Sequence, residues 1–112
     1  MSTTRPPRAP KSLREGGKRL WSRVTKEFEP SQHELTLLLQ ACRLLDTTDR
    51  LQAVIDDSSV IIETTQGPKT HPAVVEFRQQ SLAFAKVMAT MRIPLDDDDT
   101  PQKRAGVRGP QS

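Results

Sequence analysis

Two long stretches of helix-periodic apolar residues, each opened by a helix-start signal, constrain this chain more than anything else in it. The first begins at Ser31, with Glu34 three residues on. In that arrangement the two side chains satisfy each other's free backbone donors and start a helix. Leu35, Leu38, Cys42 and Leu45 follow at steps of 3, 4 and 3, and Leu37, Ala41, Leu44, Thr48, Leu51 and Ile55 at steps of 4, 3, 4, 3 and 4. The spacing predicts a helix to about Asp56 with a heptad-like seam suited to near-antiparallel packing. The second stretch begins at Thr70-His71-Pro72, with Pro72 at the first helical position, where its missing N–H costs nothing. It carries Val74, Phe77, Ser81, Phe84, Met88 and Met91, a flanking stripe of Val75, Leu82, Ala85 and Ala89, and a stop at Pro94. Between the two, the β-branched run from Val60 to Thr65 is broken by Gln66-Gly67-Pro68-Lys69, which predicts an extended excursion or small hairpin.

The flanks differ in kind. Apolar residues make up 28 of the 63 positions in 31–93, a globular density, but only 7 before it and 3 after it. Residues 1–11 hold Pro6, Pro7 and Pro10, which block a helix and predict an extended arm. From Leu13 to Phe28 a short helix is predicted, with Leu20, Val24 and Phe28 on one stripe, Trp21 beside them and Pro30 as its stop. Gly16 and Gly17 read as a weakness at its start. The N-terminal 30 residues carry net charge +5, while the middle and the tail carry −1 each. A global charge of +3 therefore conceals a concentrated basic segment, which is either a polyanion contact or a solubilising leader.

The predicted architecture is all-α. It comprises a disordered basic arm (1–12), a short basic helix (13–29), a long antiparallel helical hairpin (31–93) with its small extended or β-like excursion, and a flexible acidic/basic tail (94–112). Two facing helices can each hide one apolar stripe, and these have more. Each large side chain left wet forgoes about 1.5–3 kcal/mol, and a core of about 60 residues is marginal alone. The expectation is self-association through Leu37, Leu38, Leu44, Leu45, Leu51, Ile55, Phe77, Phe84, Met88 and Met91. The competing arrangement has helix 13–28 folding back over the second stripe.

Catalytic chemistry is missing from the sequence. His33, His71 and Cys42 have no zinc-site spacing. Cys42 on an apolar stripe reads as a buried structural thiol. Gly16-Gly17 lacks both the following Lys-Ser/Thr and the preceding strand of a phosphate loop. Asp96–Asp99 lacks the alternation, the glycine and the distal glutamate of a calcium loop. No metal, cofactor or catalytic residue is assigned. No run of about 20 apolar residues exists to span a membrane, and the N-terminus is not that of a signal peptide. One cysteine cannot form an internal disulfide, which suits a reducing cytoplasm.

The segments ACRLLDTTDRL (41–51) and VIIETTQGPKTHPAVVEFRQQ (60–80) resemble the small subunit of phage terminases. The resemblance rests on Cys42, Leu45, Asp46, Asp49, Gly67, His71, Pro72 and Ala73, with Gly16, Lys18, Leu20, Trp21, Phe28 and Glu29 upstream. It covers residues 16–93. It implies a mostly helical, ring-forming protein without catalytic residues. Such a protein recognises viral double-stranded DNA in the host cytoplasm and passes it to the large terminase subunit, which holds the ATPase and nuclease. The family offers no motif of DNA-contact residues to carry over, so the contact is assigned from charge: Arg5, Arg8, Lys11, Arg14, Lys18, Arg19, Arg23 and Lys26. Two other readings fit the sequence: a structural coiled-coil scaffold, and a small DNA-binding transcription regulator. The regulator needs a recognition helix, for which the second helix reads as too apolar.

Overall fold

The computed structural model describes residues 6–58, 61–64 and 66–95. Arg5, Val60, Thr65 and the Asp96–Asp99 run lie outside the described residues. The order of elements is α1 (Glu15–Glu27), α2 (Gln32–Asp57), β1 (Ile61–Thr64), β2 (Gly67–Thr70) and α3 (Pro72–Thr90). The chain is thus mainly helical, a long α2/α3 hairpin preceded by a short basic helix. The excursion between the long helices is a two-stranded antiparallel hairpin pairing Ile61 with Thr70 and Thr64 with Gly67.

The helix ends follow local chemistry. Ser31 Oγ accepts from the Glu34 amide at 3.1 Å and Glu34 Oε1 accepts from the Ser31 amide at 2.9 Å, a complete capping box. His71 caps α3 through Nδ1, which accepts from the Ala73 amide at 3.0 Å, and Pro72 follows at the first position. At the other end of α3, Arg92 turns left-handed at φ 59°. The Arg92 amide bonds the Ala89 carbonyl at 3.0 Å and the Ile93 amide bonds that of Met88 at 3.1 Å. This closing turn satisfies two orphan carbonyls and folds Ile93 back onto the core. Gly67 sits at φ 105°, a conformation that side-chain-bearing residues rarely adopt.

The core lies where the first half of α2 meets the second half of α3, under α1. It joins Leu13, Leu20, Trp21 and Val24 to Leu38, Ala41, Cys42 and Leu45, and these to Phe84, Met88, Met91 and Ile93. Thr48 is buried on the heptad seam at no polar cost, because its hydroxyl donates to the Leu45 carbonyl at 2.8 Å. On α3, the Ser81 hydroxyl is buried without a hydrogen-bond partner, so the seam is least well satisfied there.

This arrangement corrects the expected interface. Leu38, Leu45, Phe84, Met88 and Met91 are inside the protomer's own core and offer nothing to a second copy. The back-folding of the first helix does occur, but over only part of the hairpin. Its 13 residues rise about 20 Å, against about 39 Å for the 26 residues of α2. On the hairpin Leu51, Ile55, Val74 and Phe77 stay half-exposed, and Val54 (40%), Val75 (47%) and Leu82 (66%) are exposed.

The N-terminal segment also departs from expectation. Residues 6–10 lie outside any helix or strand and Lys11-Ser12 form a turn, closed by the Leu13 amide on the Pro10 carbonyl at 3.2 Å, but the segment is not independent of the fold. The Trp21 indole Nε1–H donates to the Pro7 carbonyl at 2.8 Å, and Ala9 packs on the core. Leu13 precedes the helix and is itself core. Gly16 and Gly17 are required for close helix contact. A Cβ at Gly17 would lie 2.5 Å from Asp46 Oδ2 and 3.0 Å from the Cys42 carbonyl oxygen. The carbonyl belongs to helical backbone and cannot move aside. Gly17→Ala is therefore expected to destabilise the protein by about 1–3 kcal/mol through overpacking. Helix propensity alone would give a gain of about 1 kcal/mol, so the sign read in a thermal melt decides.

Candidate nucleic-acid interface

α1 is built with two unlike faces. Its inner face of Gly16, Gly17, Leu20, Trp21, Val24 and Thr25 is buried. Its outer face carries Lys18, Arg19, Ser22 and Lys26, all exposed, and Lys11 and Arg14 are exposed just ahead of the helix. Residues 18, 19, 22 and 26 recur at steps of 1, 3 and 4, so they share one side. Arg8 is exposed beside the pinned Pro7. Arg23 is the exception among the assigned cations. It is half-buried, with its guanidinium 3.9 Å from the Glu27 carboxylate one turn on, and it contributes less free charge.

What fixes α1 to the hairpin is a carboxylate. Asp46 on α2 is buried, and its two oxygens accept from the Arg14 and Gly17 amides, each at 2.7 Å. No side chain of α1 itself caps that end. Asp46 thus serves as an N-cap supplied from another helix, placing negative charge at the positive end of the α1 dipole. The glycine pair permits the approach and the aspartate fastens it, so the cationic face is held at one angle to the hairpin. Trp21 is buried and bonded to the Pro7 carbonyl.

Most residues that carry the terminase resemblance have structural work. Cys42 and Leu45 are core, and Cys42 is in no disulfide. Asp46 caps α1, Gly67 makes a left-handed turn, His71 and Pro72 start α3, and Ala73 is buried. None of them forms a reactive site.

Two features escaped sequence reasoning. α2 carries a polar outer stripe, for Gln32, Thr36, Gln40, Arg43 and Arg50 are exposed. The alternation of these polar positions with the two apolar stripes was the available signal. An open cleft of about 300 Å³ also lies at the start of α1, lined by Arg14, Glu15, Gly16 and Arg19 with Asp46, Asp49 and Arg50 of α2. It unites residues more than 30 positions apart, and nothing local announces it.

Among the described residues, no group of three or more His, Cys, Asp or Glu is placed to hold a metal ion. None of their helices is long and apolar enough to cross a membrane. No protein family, curated protein or solved structure matches the chain.

Proposed function

We propose that this chain is a non-catalytic, self-assembling DNA-binding protein of the terminase small-subunit kind. In this role it gathers viral double-stranded DNA and hands it to a large subunit that supplies ATPase and nuclease. The observation that carries the DNA contact is the fixed, solvent-facing cationic side of α1. A mobile basic leader would lose entropy on every contact, whereas a docked helix presents its charges already arranged.

The hairpin supports assembly. Val54, Val75 and Leu82 are apolar side chains left open to solvent on the hairpin, and a second copy is a natural cover for them. Joining copies there multiplies the number of α1 faces available to one duplex, raising avidity without new contacts per protomer. Contacts to phosphate position the DNA and carry little sequence information.

Titration of the full chain with duplex DNA across a range of salt concentrations tests the reading. Binding that weakens steeply with salt is expected, because each neutralised phosphate releases counterions. No ATP turnover is expected from the chain alone. Failure to bind duplex DNA at low salt would refute the proposal.

A further inference from the structure

Resting on the DNA-binding reading, we infer that the cleft between the start of α1 and the middle of α2 is a seat for a backbone phosphate of DNA, with Arg50 of α2 as its second wall. Arg14, just ahead of α1, and Arg19 within it line the cleft together with Arg50 of α2. Three arginines from the two sides thus border one open cavity. Each offers the planar fork that matches a phosphate group.

The carboxylates in the same cleft decide what kind of phosphate it takes. Asp46 is buried, and both its oxygens are occupied by backbone amides. Glu15, Asp49 and Asp46 together match the three arginines in formal charge, so the mouth carries no formal excess. Such a mouth does not draw a small free anion out of water, since exposed ion pairs contribute only about 0–1 kcal/mol. A duplex already lying on the outer face of α1 is in another position. Arg19 belongs both to that face and to the cleft, so a bound strand carries its next phosphate to the cleft at high effective concentration. The seat therefore selects polymeric phosphate over the free ion. It also fixes the angle between DNA and hairpin, because its walls belong to both helices.

Arg50→Gln tests this, with Arg78→Gln as the control. Arg78 is exposed on α3 and lines no part of the cleft, so both variants remove one surface charge. Duplex affinity at fixed salt is expected to fall about tenfold for Arg50→Gln, the size of one charge-assisted hydrogen bond. The salt slope should fall by about one per bound protomer. The control should change affinity less than about twofold. Arg50→Lys should recover the slope but only part of the affinity, because lysine keeps the charge and loses the fork. Equal behaviour of the Gln variants at positions 50 and 78, with DNA binding otherwise intact, would overturn the seat and leave the broader reading standing. Inorganic phosphate is the second probe. Saturable phosphate binding that depends on Arg50 and does not compete with DNA would overturn the assignment to polymeric phosphate. Loss of DNA binding by the unmodified chain would remove the broader reading as well.

Discussion

Asp46→Ala is expected to cost about 3 kcal/mol and to detach the start of α1 from the hairpin. The N-cap of α1 is lost, because the Arg14 and Gly17 amides lose their shared acceptor. The Gly17 amide is buried, and an orphaned buried donor costs about 1–3 kcal/mol. For a domain of this size the melting temperature should fall by more than about 10 °C. Asp46→Asn sharpens the test. It has the same shape, but its amide oxygen can accept where only one carboxylate oxygen did, and its NH₂ group then faces the other backbone donor. A large loss is therefore expected for Asn too. Near-normal stability in Asp46→Asn would mean that the side chain only fills space. Trp21, the sole tryptophan, gives the matching local signal. Its emission should shift toward that of exposed indole in Asp46→Ala before the α2/α3 hairpin melts.

The second large effect concerns binding. Replacing Lys11, Lys18 and Lys26 together with glutamine should lower duplex affinity at physiological salt by at least about a hundredfold. The log–log salt slope should shrink by roughly 3 per bound protomer. All three side chains are exposed, and none is in the core or lines the arginine cleft. Helix content and assembly should therefore be unchanged. Lysine serves here as a point charge toward phosphate, so the loss should be nearly the same for duplexes of different sequence. Retained affinity in this variant, with the fold intact, would show that the outer face of α1 is not where DNA binds. A loss confined to one DNA sequence would show that these lysines read bases.

The long helices were legible in the sequence because their start signals are local. Ser31 with Glu34, and His71 with Pro72, each settle a helix start within four residues, and both caps form as the spacing predicts. The mainly helical fold and the small strand pair at Gly67 follow from signals of the same short range. The docking of α1 was not legible, because its parts are meaningless apart. A glycine pair in a helix reads as a defect until Asp46, about 30 residues on, is seen beneath it. The Trp21 bond to Pro7 hides in the same way.

The apolar stripes posed a different problem. Periodicity states that Leu38, Leu45, Phe84, Met88 and Met91 must be covered, but not by what. Here α2, α3 and α1 cover one another at one end, and Val54, Val75 and Leu82 are left outside. The cationic residues were found by charge alone. Which of them act from a rigid face, as Lys18, Arg19 and Lys26 do, depends on which side of α1 is buried. That Arg50 would join them depends on how α1 lies across α2.

On the proposed function, protomers associate through apolar side chains left open on the hairpin, and so bring many cationic faces to one duplex. Light scattering on the purified full chain at micromolar concentration is then expected to show a discrete species whose mass is a multiple of 12.6 kDa, before any DNA is added. A single folded species of 12.6 kDa, unchanged as the protein is concentrated, would contradict it.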